Sequence, residues 1–293
     1  MKEWAGTTYG NARMHRALIT LLRYVDVRVL YVFSAILIIP PCLLLNTNGS
    51  RRVIYRYFRQ RHNYSRIKAA WKTYINHCLF AQAVVDKFAM YAGRRFKTIV
   101  EGYDRYLNLE GQEAGFIQLS AHIGNYEIAG YTLTAHHKSM SALVFGGEKA
   151  TVMTERDKLL SKDNIHLIPV REDMSHVFRI NDALANNEIV SMPADRLFGS
   201  PKYVEADFLG GQVKLPLGAF QAATMRQFDV LAVNVMKTAA TTYTIYVTAL
   251  EYDKQAERRE RTRQLATSYA NELERMVRMY PCQWYNFFEF WSQ

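Results

Sequence analysis

An α/β domain with a mostly parallel sheet flanked by helices, preceded by an N-terminal apolar helical segment suited to associating with a membrane, is the architecture that three features of this chain predict. From residue 115 onward short apolar runs alternate with polar stretches of helical length, residues 29–45 form one uncharged apolar run, and basic residues crowd the N-terminal third. Alternating strand-length and helix-length segments are the pattern of βαβ units, which build parallel sheets. No Pro/Gly/Ser-rich linker divides the 293 residues, so the expected organisation is an anchor and basic interfacial region over residues 1–75 and one α/β domain over residues 76–293.

The apolar run VLYVFSAILIIPPCLLL (29–45) has 17 residues, about 25 Å as a helix against a hydrocarbon core of ~30 Å. Pro40-Pro41 should kink or end it, because proline lacks the N–H that the helix ladder uses. The run begins late and no small-x-small site follows, so a retained, short-spanning or re-entrant anchor is expected rather than a signal peptide. Next comes RRVIYRYFRQRHNYSRIKAAWKTY, in which Arg51, Arg52, Arg56, Arg59, Arg61, Arg66, Lys68 and Lys72 are interleaved with Tyr55, Phe58, Tyr64 and Trp71, the composition of an interfacial segment. Arg13, Arg16, Arg23 and Arg28 precede the run, so flanking charge favours neither orientation. The chain carries +10 overall, split as +14 over residues 1–100 and −4 over the rest. Such a division points to an anionic partner at one face: a membrane surface, an acidic carrier protein or nucleic acid.

GFIQLS (115–120), SALVFG (141–146), IHLIPV (165–170), EIVSMP (188–193), VLAVNVM (230–236) and YTIYVTAL (243–250) read as strands. Helices are expected near 125–135, 151–162, 173–186, 216–227 and 255–279, and the chain closes on the aromatic stretch WYNFFEFW. Cys42, Cys78 and Cys282 are far apart, which suggests neither a disulfide framework nor a zinc site and fits a reducing compartment. His136-His137 would point apart on a helix and no carboxylate completes a facial set, so no metal and no cofactor are expected.

The chemistry concentrates in FIQLSAHIGNYEIAGYTL. A strand ends at Ser120, His122 follows at once, Gly124 supplies a turn, and Glu127 falls in the first turn of the next helix. Catalytic groups of open α/β sheets gather beyond the carboxyl ends of strands. On one continuous helix His122 and Glu127 would stand about 140° apart. With a bend between them Glu127 can fold back to accept from one imidazole nitrogen, leaving the ring a general base.

His122-Ile-Gly-Asn-Tyr-Glu127 resembles the H-x4-D/E signature of the lysophospholipid acyltransferase superfamily, in particular its bacterial lipid A late-acyltransferase branch. MPADRLFG (192–199) is similar to that branch's strand-end segment, VKLPLGAFQAA (213–223) to its Pro-x-Gly entry into a helix, and PCQWYNFFEFW (281–291) to its terminal aromatic motif. The resemblance implies direct acyl transfer without an acyl-enzyme, in keeping with the lack of any G-x-S-x-G. His122 would take the acceptor's proton and Glu127 would stabilise the imidazolium. The donor would be an acyl thioester of acyl carrier protein or coenzyme A, with the carrier protein favoured. The acceptor would be a hydroxyl or amine of a lipid. Arg171, Asp195 and Arg196 would serve substrate binding, the two arginines as strand-end cations for a phosphate or developing oxyanion, while Gly199, Pro216 and Gly218 shape the backbone. The expected location is a bacterial inner membrane with the catalytic domain on the cytoplasmic face. The F-P-E-G-T-R block of glycerolipid acyltransferases is missing and Arg196 follows Asp195, which turns the expectation from glycerol phosphate towards lipid A or another amphiphile, such as an aminolipid or an aryl-polyene-type lipid.

Two rivals come from other classes. A lipid hydrolase could use the same dyad on water, and a nucleic-acid-binding protein would use the basic third. The apolar run lies inside that third and no recognition motif accompanies it, so no nucleic acid is expected.

Overall fold

The structure, a computed structural model, describes residues 8–45, 49–133, 135–171, 173–197, 200 and 202–292. Ala12–Tyr24 (α1) is capped by Asn11, whose side chain accepts from the Met14 N–H. The apolar run is helical from Val27 to Leu44: Val27–Phe33 (α2), a π turn at Ser34–Ile38, and Ile39–Leu44 (α3). Pro40-Pro41 do not end the helix. They occupy the first turn of α3, where an N–H is dispensable, and the π turn just before them, closed by Ile39 N–H to Ser34 O, takes up the misfit. Of this 18-residue span only 22% is buried. Val29, Val32, Phe33, Ile36 and Leu37 face outward, while Val27, Tyr31 and Ile39 face the protein.

The basic segment is not one surface helix. It forms Ser50–Gln60 (α4) and Arg66–Tyr91 (α5), broken where Asn63 takes a left-handed φ of 53°. The inward face of α4, with Val53, Ile54, Tyr57 and Phe58, is buried core packed with Trp284 and Trp291. Phe58 is therefore a core residue rather than an interfacial one, whereas Trp71 is 59% exposed. Arg56 pairs with Glu289 at 2.9 Å and Arg61 stacks 4.3 Å over the Trp291 ring. The expected boundary at residue 75 falls inside α5, which packs on both the apolar helix and the sheet domain.

Beyond α5 come Lys97–Glu101 (β1), Tyr103–Glu110 (α6), Phe116–Ser120 (β2), Met140–Phe145 (β3), Ala150–Leu160 (α7), Ile165–Val170 (β4), Ser175–Ala185 (α8) and Ile189–Pro193 (β5). Then follow Tyr203–Phe208 (β6), Gly211–Pro216 (β7), Leu217–Met225 (α9), Val230–Ala239 (β8), Thr242–Leu250 (β9) and Arg258–Met279 (α10). The main sheet has seven strands in the order β1-β9-β8-β2-β5-β3-β4, parallel throughout except at β8–β9. Strand side chains alternate between two cores, as a period of two requires. Ile117, Leu119, Val190, Met192 and Ala232 face α4, α8, α9, α10 and the terminal aromatics. Phe116, Ile189, Leu231, Val233 and Val235 face α1, α2, α5, α6 and α7.

Each of the six expected strands is present to within a residue or two, apart from β8 running on to Ala239. Three further strands are not in the sequence reading. β1 is a half-exposed edge strand. β6 and β7 pair as a hairpin whose two loop residues, Leu209 and Gly210, have φ of 49° and 73°, the backbone of a tight turn that usually announces itself as Asn-Gly. The helix expected at 125–135 shrinks to a 3₁₀ turn, Tyr126–Tyr131.

Candidate active site

Strand pairing builds the centre of the site. β2 and β5 are parallel neighbours with Ser120 opposite Pro193, and the Ala194 N–H donates to Ser120 O at 3.0 Å. Two residues past each strand stand His122 and Asp195, so their approach follows from the ladder. Asp195 grips the histidine twice: Oδ1 lies 2.7 Å from Nδ1 and Oδ2 accepts the His122 backbone N–H at 2.9 Å. Its side chain is 2% exposed, that of His122 17%. Burial pushes the Asp195 carboxyl up, but the charge and hydrogen bonds of His122, with the charge of Arg196, outweigh it and hold the group below the ordinary carboxylate value. An ionised Asp195 can only accept, so Nδ1 carries the proton and, in the neutral ring, Nε2 carries the lone pair.

This corrects the expected pairing of His122 with Glu127. The chain does bend between them, at Gly124 (φ 53°), where a Cβ would stand 1.7 Å from Val235 O and only glycine fits. The bend carries Glu127 away to α7, not back to the imidazole. Its Oε1 receives Arg156 Nη2 at 2.6 Å and its Oε2 the Tyr91 hydroxyl at 3.0 Å. Burial raises the Glu127 carboxyl, yet Arg156 and Lys87 more than compensate, and it too lies below its usual value. The Tyr126 ring stands edge-on to that of His122, centroids 6.2 Å apart.

The other expected residues scatter. Arg196 is buried at 3% exposure; Nη2 donates to Tyr285 O at 2.9 Å and the guanidinium sits 5.7 Å from the Phe288 ring centre. It is thereby built into the packing of the C-terminal segment instead of standing open at a strand end. Arg171 is exposed at the end of β4, three strands from β2, or ~14 Å at ~4.8 Å per strand. Pro216 ends β7 and caps α9, while a Cβ on Gly218 would meet open space, so no backbone constraint requires glycine there. Gly199 lies outside the described residues. His136 and His137 are in a loop, not a helix, with their backbone N–H groups on Glu110. Among the described residues no group of three or more His, Cys, Asp or Glu could hold a metal.

Arg156 and Tyr91 were not picked out from the sequence. A signal for Arg156 existed: Val152, Arg156 and Leu160 recur every four residues and all three are buried, so the arginine interrupts the apolar stripe of α7. The C-terminal segment contributes main chain. Gln283 O accepts the Gly124 N–H at 2.8 Å, the Tyr285 N–H donates to His122 O at 3.0 Å, and Ile123 bridges Trp284.

Residues 62–293 match the family described as bacterial lipid A biosynthesis acyltransferase. Among curated proteins there is no match. Of the solved structures, the 1-acyl-sn-glycerophosphate (LPA) acyltransferase PlsC from Thermotoga maritima aligns over 92% of this chain and 99% of its own at 14% identity, with a TM-score of 0.38.

The two carboxylates should separate under substitution. Asp195→Asn keeps the volume but loses the charge opposite the imidazolium, and turnover should fall by ~10²–10⁴-fold with little change in denaturation midpoint. Glu127→Gln strips a buried arginine of its counter-ion, so it should cost about 3–5 kcal/mol of stability and a smaller factor in turnover per folded molecule. Kinetics paired with urea denaturation measure both; the reverse pattern would restore Glu127 as the imidazole's partner.

Proposed function

The chain belongs to the bacterial lipid A biosynthesis acyltransferase family, and from that premise we propose that it moves a fatty acyl group from an acyl carrier protein thioester onto a hydroxyl or amine of a lipid A-like amphiphile, with His122 as general base. The observation that carries this reading is the double grip of Asp195 on His122 at 2.7 and 2.9 Å. Nε2 takes the proton of the acceptor as its oxygen or nitrogen attacks the thioester carbonyl. The tetrahedral intermediate collapses by breaking the carbon–sulfur bond, and the imidazolium returns the proton to the departing thiolate. Asp195 stabilises the imidazolium formed between these steps, worth more in a site withdrawn from water than at a surface. Glu127 keeps a place as the counter-ion of Arg156, bracing the turn that follows His122.

The enzyme works at a membrane in this reading. An 18-residue helix of mean hydropathy 2.1 exposes most of its apolar surface, with Arg13, Arg16 and Arg23 before it and Arg51, Arg52 and Arg59 after it. We place it on the inner membrane with the sheet domain on the cytoplasmic side, where acyl carrier protein and coenzyme A thioesters reside.

Incubating detergent-solubilised enzyme with a lipid A precursor and one acyl chain carried either by acyl carrier protein or by coenzyme A tests the assignment by mass spectrometry. The acceptor should gain one acyl chain, faster from the carrier protein, and His122→Ala should lose at least ~10³-fold. Free fatty acid without acylated acceptor would make the protein a hydrolase and overturn the proposal. Faster transfer from coenzyme A would overturn the donor alone.

Flotation with vesicles addresses the surface. Anionic vesicles should carry more protein than neutral ones, and deleting residues 1–45 should leave the remainder held by charge and released as salt rises, with screening setting in at ~10 Å at 0.1 M. Equal flotation of the truncated protein with both kinds of vesicle would contradict this.

A further inference from the structure

The segment that holds His122 has no regular structure of its own. Residues 122–125 lie between two other stretches of backbone, and the Gln283 side chain connects the two. On one side is β8, where Val235 O accepts the Asn125 N–H at 2.9 Å and crowds Gly124 so closely that no side chain fits. On the other are residues 283–285, through the Gln283, Trp284 and Tyr285 contacts already described.

Gln283 joins those two sides. Its Oε1 accepts the Lys237 N–H at 2.8 Å and its Nε2 donates to Lys237 O at 2.8 Å, so one amide side chain supplies both bonds that a neighbouring strand would supply. The side chain is buried, and burying an amide is unfavourable unless both ends are satisfied, as they are. Asn76 of α5 holds the same segment from behind, its Nδ2 donating to Cys282 O at 3.0 Å and Trp284 O at 2.9 Å.

Lys237 points its side chain the other way, towards the apolar helix. Nζ lies 2.7 Å from Asp86 Oδ2 on α5 and 2.9 Å from the Tyr31 hydroxyl on α2, and the hydroxyls of Tyr31 and Tyr243 both donate to Asp86. Asp86 is wholly buried and the Lys237 side chain is 7% exposed. Replacing an ion pair this deep by packed apolar groups is often neutral or stabilising, so the pair is weak evidence of a stabilising role. What it does is fix Lys237, and with it Gln283, against the one helix of the described residues that is apolar enough to enter a membrane.

We propose that Gln283 is a positioning residue for His122, and that the seating of the apolar helix is transmitted to the histidine through Tyr31, Lys237, Gln283 and Gly124. The proposal rests on His122 being the general base. The chain of contacts sets where the backbone of residue 122 lies, and so how well Nδ1 meets Asp195. Misplacement of a reacting group by about 1 Å costs on the order of 10²-fold in rate.

The test uses the full chain in detergent, with kcat, KM, the pH profile and the thermal midpoint measured for wild type, Gln283→Leu, Gln283→Glu and Tyr31→Phe. Gln283→Leu should lower kcat ~10–100-fold with KM within about twofold. A weaker Nδ1 contact with Asp195 stabilises the imidazolium less, so the acid limb of the kcat/KM profile should also move to lower pH. Gln283→Glu keeps the acceptor for the Lys237 N–H and should fall between Leu and wild type. Tyr31→Phe removes only a hydroxyl and should reproduce the pattern more weakly, by ~3–10-fold, which keeps the test open should Gln283→Leu not fold. Unchanged kcat per folded molecule, or losses that follow only the folded fraction with the pH profile unmoved, would overturn the proposal. His122→Ala in the same preparation separates the two readings: if it stays active the general-base assignment has failed, whereas an inactive His122→Ala beside a normal Gln283→Leu means that only the positioning proposal has.

Discussion

The parallel pairing of β2 with β5 is the constraint on which the site depends. A ladder that sets Ser120 opposite Pro193 brings the residues two places beyond each strand together, and here they are a histidine and an aspartate. No flexible loop has to find the geometry. The backbone of His122 is bonded to the same carboxylate as its ring, so one buried group holds both. Preorganisation of this kind lets a base act without reorganising its surroundings during the reaction.

Buried charge is distributed around that centre. His122–Asp195, Arg156–Glu127 and Lys237–Asp86 each have at least one side chain exposed by 7% or less; the first stands just past β2 and β5, the second joins α7 to the 3₁₀ turn after β2, and the third joins β8 to α5. Pairs of this sort seldom add net stability over apolar packing, yet losing one partner is costly because the other charge stays buried. Arg156–Glu127 ties α7 to the turn after His122, and Lys237–Asp86 ties β8 to α5 and the apolar helix. The outward face of that helix, Val29, Val32, Phe33, Ile36 and Leu37, stays exposed among the described residues.

Short apolar runs alternating with polar stretches made most of the central sheet legible in the sequence, and a histidine directly after one of them marked the candidate site. What could not be read was strand order. Asp195 lies 73 residues from His122, and only the adjacency of β2 and β5 makes them partners; a five-residue spacing made Glu127 the natural choice instead. The hairpin β6–β7 escaped because Leu209 occupies a left-handed turn position that usually selects Asn or Gly. Pro40-Pro41 read as a kink or an end of the helix, whereas a π turn at Ser34–Ile38 let the helix continue. The charge of the basic segment was legible, but Tyr57 packs on terminal aromatics more than 200 residues away.

Asp195, and not Glu127, is bonded to Nδ1 of His122 and so fixes its tautomer. The most direct measurement is NMR of histidine-15N-labelled protein, with the His122 signals identified among the eight histidines by comparison with His122→Gln. The geometry predicts an Nδ1–H tautomer whose proton resonates far downfield, lost in Asp195→Asn and unmoved in Glu127→Gln. An Nε2–H tautomer, or a downfield proton that responds to Glu127 and not to Asp195, would contradict it.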